Sequence, residues 1–298
     1  MTSVIQYTTC PACRASNIHH VLDAKDHTVS KKTFEIWECD QCSLRFTQAI
    51  PNETEIGAYY QSENYISHSN TKKGIVNQLY HRVRTYSLNS KRRLIQAHQY
   101  PAGRPKLLDI GCGIGAFVHH MREHNWDVEG TEPSAEARAQ AAQQFKLALH
   151  PSEYLFDPQL GPFEVITMWH VLEHVHMLNE YMVRLRELMQ PNGTLFIAVP
   201  NYTSYDASVY RSWWAAYDVP RHLYHFSPKS MQLFLKKHGF TLKAMQPMWF
   251  DSFYVSMLSE KYRSGGGLIK GGMVGAVSNL KAAFNKERCS SLIYVIKK

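Results

Sequence analysis

The distribution of apolar and polar positions divides the chain into two regimes. Over residues 71–99, NTKKGIVNQLYHRVRTYSLNSKRRLIQAH, the residues Ile75, Leu79, Val83, Tyr86, Leu94 and Ile95 recur on a mostly helical period. Basic residues fall between them, so the spacing predicts an amphipathic helix. The run Tyr100-Pro101-Ala102-Gly103-Arg104-Pro105 breaks it, and a regime of short apolar runs alternating with helical patterns follows. Strands are expected at 106–110, 126–131, 147–149, 163–168, 194–199, 241–249 and 291–296, a count of seven. Helices are expected after a glycine loop to residue 124, from 133–134 to 144, and from 179 to 189. A further helix has Ser227 as N-cap, Pro228 as first residue and Gly239 as stop. Strand-helix alternation of this kind implies a parallel sheet covered on both faces, a doubly wound α/β fold.

Ahead of these regimes, Phe34, Ile36 and Trp37 read as a strand and Leu44-Arg45-Phe46 as its neighbour. They accompany two CxxC pairs, Cys10/Cys13 and Cys39/Cys42, with 25 residues between the pairs. Two such knuckles let four thiolates surround one tetrahedral Zn²⁺. A span of this size makes a poor core alone, so a metal staple is physically useful. A closed four-sulfur site has no open position, and the expected zinc therefore holds the fold rather than catalyses. The expected organisation is a zinc ribbon over 1–56, a basic helical connector or lid over 57–104, and the α/β domain over 105–298.

Composition sharpens this only in part. With 298 residues, 44% hydrophobic and 19% charged, the chain suits a globular protein with a sizeable core, and the composition disfavours disorder or a fibrous repeat. The net charge of +8 is unevenly placed: −3 over 1–64, +9 over 65–108, −5 over 109–260 and +7 over 261–298. Two basic segments flanking an acidic body could attract an anionic membrane surface or nucleic acid, or could be a solvated helix face. Cys112 and Cys289 are unpaired in the sequence pattern and imply a reducing compartment. The opening MTSVIQYTTCPACR has no apolar core of a secretory signal, and no apolar run approaches the roughly 20 residues that span a bilayer. A cytoplasmic protein is expected.

Function enters at Leu107-Leu108-Asp109-Ile110-Gly111-Cys112-Gly113-Ile114-Gly115-Ala116, a strand, a glycine turn and a helix start. The glycines let the backbone approach a ligand, and the helix start adds partial positive charge. Glu132 ends the next strand, where a carboxylate can take both hydroxyls of a ribose. The same glycines fit a dinucleotide fingerprint. Asp109 tilts the choice, because an acid suits the amino and sulfonium side of S-adenosylmethionine (SAM) better than a pyrophosphate.

Four segments, LLDIGCGIG, VEGTEPS, FEVITMWHVLEHV and QPNGTLFIAVPN, stand in an order and spacing that resembles the seven-stranded SAM-dependent methyltransferases. The resemblance covers roughly residues 105–250 and the last strand. It implies that Asp109, Gly111, Gly113 and Gly115 line the methionine part, that Glu132 binds the ribose, and that Met168 and Trp169 flank the adenosine. Ser152 and Glu153 both remain candidates for the adenine amine.

Directly after the fourth strand stands His170-Val171-Leu172-Glu173-His174. Its HxxEH form also matches a zinc-peptidase signature, but that signature needs one continuous helix. A closer resemblance is to ubiquinone-biosynthesis O-methyltransferases and metal-dependent RNA 2′-O-methyltransferases, which carry Glu-x-x-Glu-His here and a histidine downstream. His170 replaces the first glutamate, Glu173 and His174 match, and His222 is the downstream candidate. Three imidazoles and one carboxylate would suit a softer ion than Mg²⁺. Three readings stay open: His170, Glu173, His174 and His222 bind a second divalent metal; His170 or His222 is a general base; or Glu173 and His174 only close a turn.

Residues 201–226 read as an insertion shaping the acceptor pocket, with Tyr202, Tyr205, Tyr210, Trp213, Trp214, Tyr217 and Tyr224 among Arg211 and Arg221. Such walls suggest a planar or anionic acceptor, although rings of this kind also simply pack a lid. Tyr59, Tyr60 and Tyr65 could close the pocket from another side. The leading expectation is O-methylation of a small molecule. The alternatives are C-methylation of a nucleotide-linked sugar, RNA methylation, or a zinc-ribbon nucleic-acid adaptor without catalysis.

Overall fold

The computed structural model describes residues 4–60, 75–99 and 103–298. Tyr65, the remainder of the connector at 61–74 and the break at 100–102 lie outside the described residues. In chain order the elements are β1 (Val4–Ile5), β2 (Ile18–Lys25), β3 (Thr33–Cys39), β4 (Arg45–Thr47), β5 (Ile50–Pro51), α1 (Ile75–His98), β6 (Lys106–Ile110) and α2 (Ala116–Arg122). Next come β7 (Asp127–Thr131), α3 (Ala135–Phe145), β8 (Phe163–Trp169), α4 (Leu178–Leu188), β9 (Met189–Pro200) and α5 (Tyr205–Tyr210). The chain ends with β10 (Tyr224–His225), α6 (Pro228–Lys237), β11 (Thr241–Pro247), α7 (Trp249–Ser264), α8 (Leu268–Phe284) and β12 (Ser291–Lys297).

These elements form two compact units interleaved along the sequence. One takes the described residues of Met1–Ile66 with Leu172–Asn179 and Ala198–Tyr294. The other takes those of Ser67–Val171 with Glu180–Ile197 and Val295–Lys298.

In the second unit β6 lies between β7 and β8, parallel to both, with Asp109 opposite Gly130 on one side and Thr167 on the other. Leu107, Leu108, Val165 and Ile166 are fully buried, as central strands of a covered parallel sheet require. The large sheet has the order β11-β12-β9-β8-β6-β7, six strands among the described residues. The expected third strand at 147–149 is the departure from seven. It contributes one parallel bridge, Thr131 to His150, closed by Glu132 N–H to His150 O and His150 N–H to Gly130 O. Pro151 follows at once and has no N–H to continue a ladder. Caps follow the sequence: Ser134 accepts from Ala137 N–H at the start of α3, and Ser227 and Ser230 form a reciprocal box at the start of α6.

In the first unit β2, β3 and β4 form an antiparallel sheet with Trp37 opposite Phe46, and β10 completes it by pairing Tyr224 with Phe46. Ala24, Phe34 and Ile36 share one apolar core with Tyr202, Tyr210, Trp214, Tyr217 and Val219. The N-terminal module thus buries its apolar face against the aromatic insertion. Residues 249–284, which carry no strong sequence signal, form the helical pair α7 and α8. No described helix is long and apolar enough to cross a membrane.

Candidate functional site

Both cysteine knuckles adopt the same turn. Arg14 N–H donates to Cys10 O at 2.9 Å, and Ser43 N–H donates to Cys39 O at 2.8 Å. The residue after each second cysteine is left-handed, Arg14 at φ 68° and Ser43 at φ 58°. Neither is glycine, so each turn carries a backbone cost of about 1–2 kcal/mol that surrounding structure must offset. The result brings Cys10, Cys13, Cys39 and Cys42 together, all four sulfurs within 4.8 Å of one another. Cys10 and Cys42 Sγ are 3.6 Å apart, and Cys13 and Cys39 Sγ are 3.5 Å apart. Four thiolates at the usual Zn–S length of about 2.3 Å would lie about 3.8 Å apart, so this donor set fits zinc. The Cys42 thiol beside it holds Cys10 down to about 5, while burial pushes Cys39 up to about 11. A thiolate at Cys10 beside Cys39 and Cys42 thiols that resist ionisation is the arrangement a divalent cation relieves. The knuckle backbone is held from outside the module: Asn179 donates to Pro11 O, Lys237 to Ala12 O and Tyr202 to Ser43 O.

In the other unit, the glycine loop follows β6 with Gly111, Gly113 and Gly115 all left-handed, at φ 67°, 57° and 76°. A Cβ on Gly111 would meet Val171 Cγ2 at 2.5 Å, whereas one on Gly113 would meet nothing within 4 Å. The loop therefore packs tightly at one glycine and leaves open room at the next, the shape of a ligand cradle. Gly113 N–H donates to Glu132 Oε2 at 2.8 Å, and Ser134 N–H donates to Glu132 Oε1 at 2.9 Å. The carboxylate at the end of β7 thus sits over the loop.

Asp109 is 2% exposed and accepts from the Thr167 hydroxyl at 2.6 Å. Burial pushes its carboxyl up to about 7, against the Thr167 hydrogen bond and the Lys91 charge. Met168 is fully buried opposite Ile110 in the sheet. Trp169 packs edge-on against Phe117, and among the described residues nothing accepts from its buried indole N–H. Lys91 Nζ stands 4.2 Å above the Trp169 ring. Sequence reasoning placed Lys91 among the basic residues of a connector; only its position on the α1 face beside Trp169 distinguishes it. Ser152 and Glu153 lie in the 3₁₀ turn Ser152–Phe156.

The HxxEH segment divides between the units. His170 belongs with the glycine loop and is left-handed at φ 58°, a strained geometry for a non-glycine residue. Glu173 and His174 occupy the 3₁₀ turn Leu172–His174, so no continuous helix exists to make a peptidase site. Within the first unit Glu173, His174 and His222 place their donor atoms within 4.8 Å of one another. His222 Nδ1 lies 2.8 Å from Ala216 O, and His174 Nδ1 lies 3.0 Å from both Arg221 O and the Tyr60 hydroxyl. A carbonyl can only accept, so each Nδ1 carries a proton, and Nε2 is the atom left to an ion. Two imidazoles oriented through carbonyls beside one carboxylate form a donor set suited to a divalent ion. Burial pushes His174 down to about 4, with the His222 charge acting in the same direction.

Arg221 does not serve as an acceptor-binding guanidinium. It is 1% exposed, and Asp218 and Asp26 pair with it at 2.6 and 3.2 Å. Tyr210, Trp214, Tyr217 and Tyr224 are likewise buried in the core, which leaves Arg211 and Trp213 as the exposed members of the aromatic insertion.

Parallel strands, a left-handed glycine loop after β6 and an acid following the neighbouring strand β7 are the arrangement with which an α/β sheet binds a nucleoside cofactor. A methyltransferase-domain family matches residues 79–244, and the chain belongs to that family. It is similar to a ubiquinone biosynthesis O-methyltransferase of Acinetobacter baumannii, 28% identical over 160 residues, covering 49% of this chain and 68% of that protein. It is also similar to one of Nitrosococcus oceani, 26% identical over 184 residues, covering 57% and 75%. A solved SAM-dependent methyltransferase of Archaeoglobus fulgidus aligns over 72% of this chain and 94% of that one, with a TM-score of 0.48 and 20% identity. The chain is a SAM-dependent methyltransferase, and its four-cysteine cluster could hold zinc.

Proposed function

We propose that this enzyme methylates an oxygen of a small-molecule acceptor in the cytoplasm. The observation that carries the reading is the Glu173, His174 and His222 group, whose imidazoles are each oriented by a carbonyl bonded to Nδ1. The O-methyltransferase names of its relatives support the same reaction class. When bound, SAM supplies a methyl group on a positively charged sulfur, already activated for displacement. The chain's own work is to position and to manage one proton. Gly111, Gly113 and Gly115 would shape the cradle for the methionine part, and Glu132 would take the ribose hydroxyls. Met168 and Trp169 would flank the adenosine, with the Trp169 indole N–H available to it. Asp109, buried against Thr167 at the end of β6, would set the charge near the amino group. Holding two partners in line can supply roughly 7–11 kcal/mol of the barrier. The proton on the acceptor hydroxyl is the remaining problem. Glu173, His174 and His222 would hold a divalent ion, whose chemistry when bound is to lower the pKa of a coordinated hydroxyl. Cys10, Cys13, Cys39 and Cys42 would hold a structural zinc, which a closed four-sulfur site keeps out of catalysis.

The test is to incubate the enzyme with methyl-tritiated SAM and a panel of catechols, phenols, nucleotide-linked sugars and short RNAs. Label in a phenolic or enolic methyl ether is the expected result. Label only on a sugar carbon, or only in RNA, would overturn the reading.

A further inference from the structure

The helical pair α7 and α8 is built inside out. On α8 the small residues Gly271, Gly275, Ser278 and Ala282 are the buried ones. A Cβ on Gly271 would meet Met257 Cα at 2.5 Å, and one on Gly275 would meet Phe253 Cα at 2.8 Å, so this face lies backbone to backbone on α7. The large apolar side chains face the other way. Ile269, Met273, Val277, Leu280 and Phe284 follow one another at spacings of four, four, three and four, which draws one stripe along the helix. Ile269 is 82% exposed and Phe284 is 89% exposed, with Leu268 at 74% beside the glycine turn 265–267. A stripe of 17 helical residues runs about 25 Å. Water-soluble surfaces rarely expose a continuous run of such residues without use.

Charge selects the occupant. Residues 261–298 carry eight basic side chains and one acidic one. Lys261 and Lys270 stand at the glycine-turn end, while Lys286 and Arg288 follow the far end, all exposed. A second copy docking face to face would set one +7 segment against another, so self-pairing is opposed. Nor does the stripe show the buried anchors of a shaped protein pocket; its most exposed side chains stand at its two ends. An apolar stripe with cations at both ends matches the boundary between acyl chains and anionic headgroups.

We propose that α7 and α8 form a membrane-docking hairpin that lies on an anionic bilayer, with the Ile269 to Phe284 stripe entering the acyl boundary and the flanking lysines and arginine meeting lipid phosphates. The proposal is independent of which acceptor the enzyme methylates.

The experiment is flotation of the full-length protein with vesicles of phosphatidylcholine alone or with about 30% phosphatidylglycerol. Binding is expected with the anionic vesicles, falling steeply between roughly 50 and 200 mM salt. The double variant Ile269→Asp/Phe284→Asp should lose at least about tenfold of that binding, with unchanged SAM affinity and circular dichroism reporting an intact fold. Lys286→Glu/Arg288→Glu should weaken binding to the anionic vesicles by several-fold through charge alone. Absence of flotation at 50 mM salt, or flotation that both double variants retain, would overturn the proposal. So would light scattering that shows a dimer which Ile269→Asp/Phe284→Asp dissociates, since that result gives the stripe to a second copy. Free inorganic phosphate competing away all binding would also overturn it, because it would leave the cations as a simple anion site.

Discussion

Arg221 donates to Asp26 at 3.2 Å although 195 residues separate the two in sequence. Asp26 opens the loop between β2 and β3 and accepts from the backbone N–H groups of Thr28, Val29 and Ser30 and from the Thr28 and Ser30 hydroxyls. The same arginine donates to Tyr59 O and offers its own carbonyl to His174. One buried ion pair therefore ties the N-terminal module to the turn that orients an imidazole of the donor set.

Removing Asp26 should cost more than removing Arg221. Asp26→Ala leaves several loop donors without an acceptor and deprives a buried guanidinium of one partner, a loss of about 3–5 kcal/mol. Arg221→Met leaves Asp26 with its loop donors and should fall at or below the bottom of that range. Urea denaturation orders the two. Burial raises the Asp26 carboxyl, but the Ser30 and Thr28 donors outweigh it and hold the group well below the usual carboxylate range. Its contribution is therefore full above about pH 4 and is lost as pH falls below that value. Equal stability of the two variants would remove the asymmetry.

Asp109 carries the opposite sign. Burial pushes its carboxyl up to about 7, above the unfolded value of 3.8. Its contribution is thus fully present below about pH 4 and declines as pH rises toward 7, where the buried charge must form. Asp109→Asn retains an acceptor for Thr167 and cannot ionise. In the absence of SAM, the melting temperature of this variant should gain on wild type between pH 5 and pH 8. SAM affinity should fall at the same time, since the charge near the cradle is gone. A melting difference that does not change with pH would show that Asp109 ionises without penalty in the folded enzyme.

The elements with strong periodicity are legible in the sequence alone. The β6 strand and glycine loop, the Ser134 and Ser227 caps and the paired CxxC knuckles all rest on local chemistry that short windows contain. The third strand was overread, because Leu147 and Leu149 supply apolar character but Pro151 halts the ladder after one bridge. The pair α7 and α8 went unread because α8 buries glycine and serine while exposing isoleucine and phenylalanine, the reverse of the pattern that signals a packed helix. Arg221 read as a ligand for an acceptor, since nothing local to it announces a partner 195 residues away. Thr167 and Lys91 were missed for the same reason: their roles exist only where strand and helix neighbours meet Asp109 and Trp169.

The knuckles make a stoichiometric prediction. One zinc per chain should survive gel filtration, and Cys39→Ser should release it. Because the four sulfurs converge only in the folded state, metal binding is folding energy. The variant should therefore melt at a markedly lower temperature. The loss should extend to the aromatic insertion, whose Tyr202 hydroxyl bonds the second knuckle at Ser43 O. Near-ultraviolet circular dichroism follows those rings directly. Full reactivity of all four thiols in native wild-type protein, with no bound metal, is the result that would reject a zinc ribbon.

The donor set of Glu173, His174 and His222 predicts a second metal that the ribbon does not explain. Two divalent ions per chain are expected by elemental analysis, one resistant to mild chelation and one not. Glu173→Gln removes the only carboxylate of the set and should lose the labile ion while retaining the ribbon zinc. His170→Ala should keep both ions, because His170 lies outside the three-residue group. Chelation should abolish turnover and leave SAM affinity unchanged, and the ion that best restores activity will report how soft the site is, with Zn²⁺ or Fe²⁺ favoured over Mg²⁺ by two imidazoles. The competing chemistry is a histidine base without metal. In that case chelator has no effect, and the log rate falls below an apparent pKa in the histidine range. A single ion per chain together with chelator-resistant turnover would therefore assign the group to proton transfer and withdraw the metal.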